Sequence, residues 1–180
     1  MDTAPAIVLI TGLPGSGKST VAAAAAEHLG APVLAWDWAM AGLTPFDLVQ
    51  EALRGLDPRT YADVGWSVLL NLGVAQIRQG RSAVLDGVAR QRQIEAARAV
   101  AAREGARLVV VLVRCPDEAV HRQRIEGRRR DIPGWHELAW ADVARSRSRW
   151  VDPEGVDLEL DSTRSLDETR VALAVGLSRS

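Results

Sequence analysis

Apolar positions along the chain fall into short β-branched runs set between longer stretches of helical spacing. The first run, Ala6 to Thr11 (AIVLIT), is almost continuously apolar and predicts a strand buried on both faces. Alanine-rich Val21 to Leu29 predicts a helix, and residues 31–35 predict a short second strand ending at Trp36-Asp37-Trp38. Thr44-Pro45-Phe46-Asp47 reads as a helix start with Thr44 as its cap. Asp57-Pro58 repeats that signal for a longer helix from about Arg59 to Gln79. Ser82 to Leu85 predicts a third strand closed by Asp86-Gly87, Gln91 to Glu104 a helix, and Arg107 to Arg114 (RLVVVLVR) the strongest strand of all. Cys115-Pro116-Asp117-Glu118 opens another helix, which runs into the arginine-rich stretch Arg124 to Arg130 and a loop at Ile132-Pro133-Gly134. A helix from about His136 to Trp150, a last strand from Val156 to Leu160 and a terminal helix opened by the capping box Ser165-Leu166-Asp167-Glu168 complete the pattern. Strands alternating with helices predict an α/β fold: a five-stranded parallel sheet in three layers, with ligands at the carboxyl ends of its strands.

Between the first strand and the first helix lies Gly12-Leu13-Pro14-Gly15-Ser16-Gly17-Lys18-Ser19-Thr20, which fits the phosphate-binding pattern G-x-x-x-x-G-K-S/T. Glycines let backbone N–H groups converge on phosphate oxygens, and the helix start adds unpaired donors and its dipole. Gly12, Pro14, Gly15, Ser16, Gly17, Lys18, Ser19 and Thr20 are therefore candidate ATP-binding residues. In this pattern Lys18 reaches the β- and γ-phosphates and the Ser19 hydroxyl sits on Mg²⁺. Lys18 is the only lysine in the chain; arginine fills every other basic position. Asp86, at the end of the third strand, is a second candidate for Mg²⁺, favoured over the alternative of an Asp-Gly turn.

Composition narrows the class further. With 180 residues, 47% hydrophobic and 25% charged, residues 1–180 are expected to form one globular domain. A net charge of −1 supplies no electrostatic argument for nucleic acid or an acidic membrane as partner. The basic charge is concentrated instead, with eight arginines against four acids between His121 and Trp150. One cysteine, Cys115, excludes an internal disulfide and a cysteine metal cluster. No apolar run reaches membrane-spanning length, so a cytoplasmic protein is expected. His28, His121 and His136 show no metal spacing, and nothing in the sequence bears on oligomeric state.

Together these motifs make the chain resemble the small P-loop kinases of metabolites and nucleotides. Asp86-Gly87-Val88-Ala89-Arg90 is similar to the D-G-x-x-R segment of adenylate kinases, and Arg124-Ile125-Glu126-Gly127-Arg128-Arg129 to their R-I-x-G-R-R. The resemblance implies a lid at about 126–146, Arg124 against the adenine and Arg128 on the ATP phosphates. A solvated basic helix face remains the alternative for part of this run. The nucleotide-acceptor segment of adenylate kinases has no counterpart. Residues 36–66 replace it, and only Arg54, Arg59 and Arg90 could hold an acceptor phosphate.

An acid after the second strand instead resembles chloramphenicol phosphotransferase, gluconate kinase and zeta-toxin-like kinases. That resemblance makes Asp37 the candidate base, with a loop-capping role as the alternative. Trp36, Trp38, Trp66 and Arg90 are candidate acceptor contacts beside it. The reading is a kinase with Asp37, Lys18 and Arg128 as catalytic residues, ATP and Mg²⁺ as cofactors, and a small-molecule hydroxyl acceptor. A nucleoside or nucleotide kinase and a nucleotide-dependent switch are the alternatives.

Overall fold

Every residue of β1 (Ala6–Thr11) is buried, because β1 is the middle strand of the sheet and both of its faces are covered. The computed structural model describes residues 4–179. In chain order, β1 is followed by α1 (Lys18–Leu29), β2 (Val33–Ala35), α2 (Trp36–Ala41), α3 (Asp47–Arg54), α4 (Pro58–Ile77) and β3 (Ala83–Asp86). Then come α5 (Gln91–Glu104), β4 (Arg107–Arg114), α6 (Glu118–Glu126), α7 (Trp140–Ser148), β5 (Leu158–Asp161) and α8 (Leu166–Arg179). The five strands are all parallel, in the order β2-β3-β1-β4-β5.

Strand periodicity divides the core in two. Ile7 and Leu9 pack with Trp66, Leu69, Leu85 and Ile94, beneath α4 and α5. Val8 and Ile10 face the opposite layer, with Val21, Ala25, Val111 and Leu173 beneath α1 and α8. Each such Val, Leu or Ile side chain contributes about 1.5–3 kcal/mol by burial, which holds the carboxyl edge of the sheet rigid under the loops. Thr11 ties two of those loops together. Its Oγ1 donates to the Ala89 carbonyl at 2.8 Å and accepts the Ala89 N–H at 2.9 Å.

Four local expectations are corrected. Trp36, Asp37 and Trp38 do not end a strand; they open α2, with Ala35 as its extended N-cap. An acid in the first turn suits a helix N-terminus, and the Trp36 indole fills space left by Gly65 on α4. Thr44 is not the cap of α3. Its hydroxyl closes the end of α2 on the Ala41 carbonyl at 2.7 Å, and Phe46 occupies the N-cap position. The helix expected from His136 starts only at Trp140, because Arg130 takes the His136 carbonyl at 2.9 Å and the Glu137 carboxylate. The last strand is displaced to Leu158–Asp161. Asp57 does cap α4, and Ser165 and Glu168 do form a capping box. Among the described residues no helix is long and apolar enough to cross a membrane.

Candidate active site

At the end of β1 the backbone turns through Gly12 and Gly17, with φ of 146° and 95°. A Cβ on Gly17 would lie 2.8 Å from the Ser162 Cβ, so glycine is required by space as well as by conformation. Ser16 Oγ is buried in the same loop with no hydrogen-bond partner among the described residues. An orphaned hydroxyl and a cradle that a Cβ would fill both fit a phosphate group. Lys18, the first residue of α1, is 8% exposed, and its Nζ donates to the Leu13 carbonyl at 2.8 Å. Burial pushes its pKa down to about 8, against the opposing pull of the Asp86 and Asp37 charges.

Asp86 is the last residue of β3 and sits in register with Ile10 and Ala35. Burial raises its pKa, while Lys18 and a hydrogen bond from Ser19 work against that rise. Among the described residues no three or more His, Cys, Asp or Glu side chains form a ready-made metal cage. Ser19 and Asp86 offer two hard oxygens, which fits a Mg²⁺ ion that keeps most of its own waters.

The arginines of 124–130 divide by position. Arg124 donates to Ser162 Oγ at 2.7 Å and to the Ser162 carbonyl at 2.8 Å, across the mouth of the phosphate loop. Arg128 is half-buried, with its backbone N–H on the Ile125 carbonyl and no hydrogen-bond partner for its guanidinium among the described residues; burial lowers its pKa, followed by the nearby Arg130 charge. Arg129 is exposed. Arg130 forms an ion pair with Asp37 and also holds Glu137 and the His136 carbonyl, with its own side chain only 7% exposed. Asp37 therefore lies at the carboxyl edge of the sheet, tied to Arg130 by one oxygen. Sequence reasoning missed Arg130, because its partner lies 93 residues away and no local spacing announces it.

His121 was also missed. It is buried, and Nε2 lies 2.7 Å from the Pro14 carbonyl. A carbonyl can only accept, so Nε2 carries the proton and Nδ1 accepts from Arg147 at 3.3 Å. The ring thus joins the phosphate loop to α7, with Trp140 edge-on at 5.4 Å. Burial lowers its pKa below the usual 6.5, and the Arg147, Lys18 and Arg124 charges lower it further, against the hydrogen bond to Pro14.

Of the tryptophans, Trp36 is half-buried against Tyr61 and Trp135, Trp66 is 2% exposed in the core, and Trp38 is 57% exposed. All three reach one cavity of about 1390 Å³, with Pro14, Asp37, Asp86 and Arg90. Arg90 is committed to the Arg149 carbonyl and lies 6.0 Å from the Trp150 ring. A second cavity, about 500 Å³, holds Gly15, Gly17, Thr20, Arg124 and Ser162. Lys18, Ser19 and Arg128 line both cavities.

Residues 7–149 match the family model AAA_33, described as an AAA domain. The chain belongs to the AAA_33 family. A UPF0200 protein of Aeropyrum pernix is 33% identical over 150 residues, covering 77% of this chain and 73% of that protein. Among solved structures, this AAA_33 chain is similar to a gluconokinase from Sinorhizobium meliloti, with a TM-score of 0.66 and 23% identity over 98% of this chain and 93% of the other. An APS kinase from Mycobacterium tuberculosis, solved with AMPPNP and APS, gives a TM-score of 0.67 and 21% identity over 97% and 98%. A sugar kinase from Janibacter gives 0.66 and 18% over 98% and 95%. These likenesses establish the α/β fold of the small P-loop kinases.

Proposed function

We propose that the protein moves the γ-phosphoryl group of ATP to a hydroxyl group of a small molecule. The observation that carries this reading is the meeting of two cavities at Lys18, Ser19 and Arg128. Two substrates, one in each cavity, can reach one phosphoryl group at these shared residues, as direct transfer needs. A hydrolytic switch has no use for a second cavity of about 1390 Å³. The names of the gluconokinase and sugar kinase neighbours agree with a hydroxyl acceptor.

In this reading the smaller cavity takes the nucleoside, with Arg124 beside the base, and the loop amides and Lys18 bind the β- and γ-phosphates. Ser19 and Asp86 would hold Mg²⁺, which when bound neutralises phosphate charge. Asp37 accepts the proton of the acceptor hydroxyl through its oxygen opposite Arg130. The acceptor oxygen then bonds to the γ-phosphorus, the bond to the bridging oxygen breaks, and ADP leaves with that electron pair. Arg128 offsets the charge on the group in transit. Arg130 orients the base by holding its other oxygen.

Acceptor-stimulated ADP release, with the phosphorylated product observed by phosphorus NMR, tests the proposal. Lys18→Met should abolish the stimulated release in a folded protein. Slow hydrolysis unmoved by any hydroxyl compound would overturn the phosphotransferase reading in favour of a switch, and transfer to a nucleoside monophosphate would favour a nucleotide kinase.

A further inference from the structure

Away from the phosphate end, the larger cavity is walled by Trp36, Tyr61, Trp66, Val88, Ile132 and Leu138. The Trp36 ring meets Tyr61 edge-on at 5.5 Å and 68°, and Trp135 at 5.9 Å and 70°. Most of the side-chain polar atoms of this aromatic wall are already in use. Trp36 Nε1 donates to the Ala62 carbonyl at 3.2 Å, and Trp66 Nε1 to the Val88 carbonyl at 3.3 Å. The Gln93 amide is bonded at both ends, its oxygen to the Arg90 N–H at 2.9 Å and its nitrogen to Asp63 at 2.8 Å. Gln91 is likewise spent, on the Glu154 N–H at 2.8 Å and on Glu95 at 3.1 Å. Asp57 caps α4, and one guanidinium nitrogen of Arg90 is held by the Arg149 carbonyl.

The Tyr61 hydroxyl has no hydrogen-bond partner among the described residues. It lies near enough to Asp37 for that charge, after burial, to raise its pKa. Arg59, Arg129 and Arg149 also reach the cavity but are exposed, so water already solvates their charge.

This inventory decides between acceptor classes. A polyol, a sugar acid or a ribose surrenders several hydrated hydroxyls on entry, and each left unpaired costs about 1–3 kcal/mol. Against the aromatic wall itself, one free tyrosine hydroxyl cannot replace them. A flat ring loses little hydration and gains edge and face contacts with the indoles instead.

Resting on the phosphotransferase reading, we propose that the acceptor is a flat, largely apolar alcohol or phenol. Its ring lies against Trp36 and its hydroxyl sits between Asp37 and Tyr61.

The test has two independent readouts. Indole N–H resonances of the full chain are followed by heteronuclear NMR while benzyl alcohol, phenethyl alcohol and naphthol are added, then gluconate, glucose and adenosine. Trp36→Phe assigns the Trp36 signal. Should that variant not fold, Trp135→Phe assigns it by the change in ring current. Phosphorus NMR with ATP and Mg²⁺ follows transfer to the same compounds. The aromatic set should shift Trp36 saturably and be phosphorylated, with kcat/KM at least about tenfold above the polar set. Tyr61→Phe should raise KM for the aromatic acceptor several-fold.

Phosphorylation of gluconate, glucose or adenosine with the aromatic set inert overturns the acceptor class and leaves the kinase reading standing. So does a Trp36 signal that neither set moves, as far as the class is concerned. Saturable aromatic binding at Trp36 without transfer supports the class and counts against the phosphotransferase reading.

Discussion

Nucleotide binding should draw a proton from solution, and the structure says at which pH. Lys18 is buried and its pKa is pushed down to about 8, so near pH 8 the free protein holds Lys18 about half charged. A bound triphosphate places negative charge beside the ammonium and restores its pKa toward the ordinary 10.5. Linkage then fixes the proton count: about 0.1 taken up at pH 7, about 0.5 at pH 8 and roughly 0.9 at pH 9. The same arithmetic makes the dissociation constant for ATP about tenfold weaker at pH 9 than at pH 7, because binding must first recharge the lysine. Isothermal titration calorimetry in two buffers of different ionisation enthalpy reads the uptake directly, and Lys18→Met supplies the background from the nucleotide itself. Uptake that stays below about 0.2 at pH 9, or that persists in Lys18→Met, would refute a lysine discharged by burial.

Four other outcomes are expected. Asp37→Asn should lower kcat by about 10²–10⁴ with little effect on ATP affinity, measured by steady-state kinetics; a near-normal kcat would make Asp37 architectural. Arg128→Ala should lower kcat more than it weakens ATP binding, whereas Arg124→Ala, at the smaller cavity, should mainly raise KM for ATP. His121 is neutral in the fold with its pKa below 6.5, so its contribution is complete above that value and is lost as pH falls through the depressed pKa. Wild-type thermal stability should therefore drop on acidification by more than that of His121→Gln, whose amide keeps both a donor and an acceptor but cannot titrate; parallel pH profiles would contradict the tautomer. Asp86→Asn should raise the Mg²⁺ concentration needed for half-maximal activity, as a metal titration would show.

How much could be read from residues alone follows from the range of each interaction. The strands and the phosphate loop were legible because apolar runs and glycine spacing are local signals, and Lys18, Ser19 and Asp86 do converge at the carboxyl edge. The α2 start was not, because Trp36-Asp37-Trp38 turns helical by fitting against Gly65 on another element. The start of α7 was set by Arg130 claiming backbone and side-chain acceptors that a helix would otherwise use. His121 carried no motif; its meaning comes from Pro14, which lies 107 residues away. Long-range polar contacts of this kind leave no periodicity behind.

The solitary lysine has a practical consequence. An ammonium whose pKa lies near 8 is substantially a free amine at mildly alkaline pH, and a free amine attacks acylating reagents. Among the side chains of residues 1–180 no other primary amine competes, since every remaining basic residue is an arginine or a histidine. An active ester should therefore label one internal position, and the mass of a single proteolytic peptide should report how much of it is shielded. The protein carries its own footprinting probe at the bottom of the cleft, where any triphosphate would have to cover it.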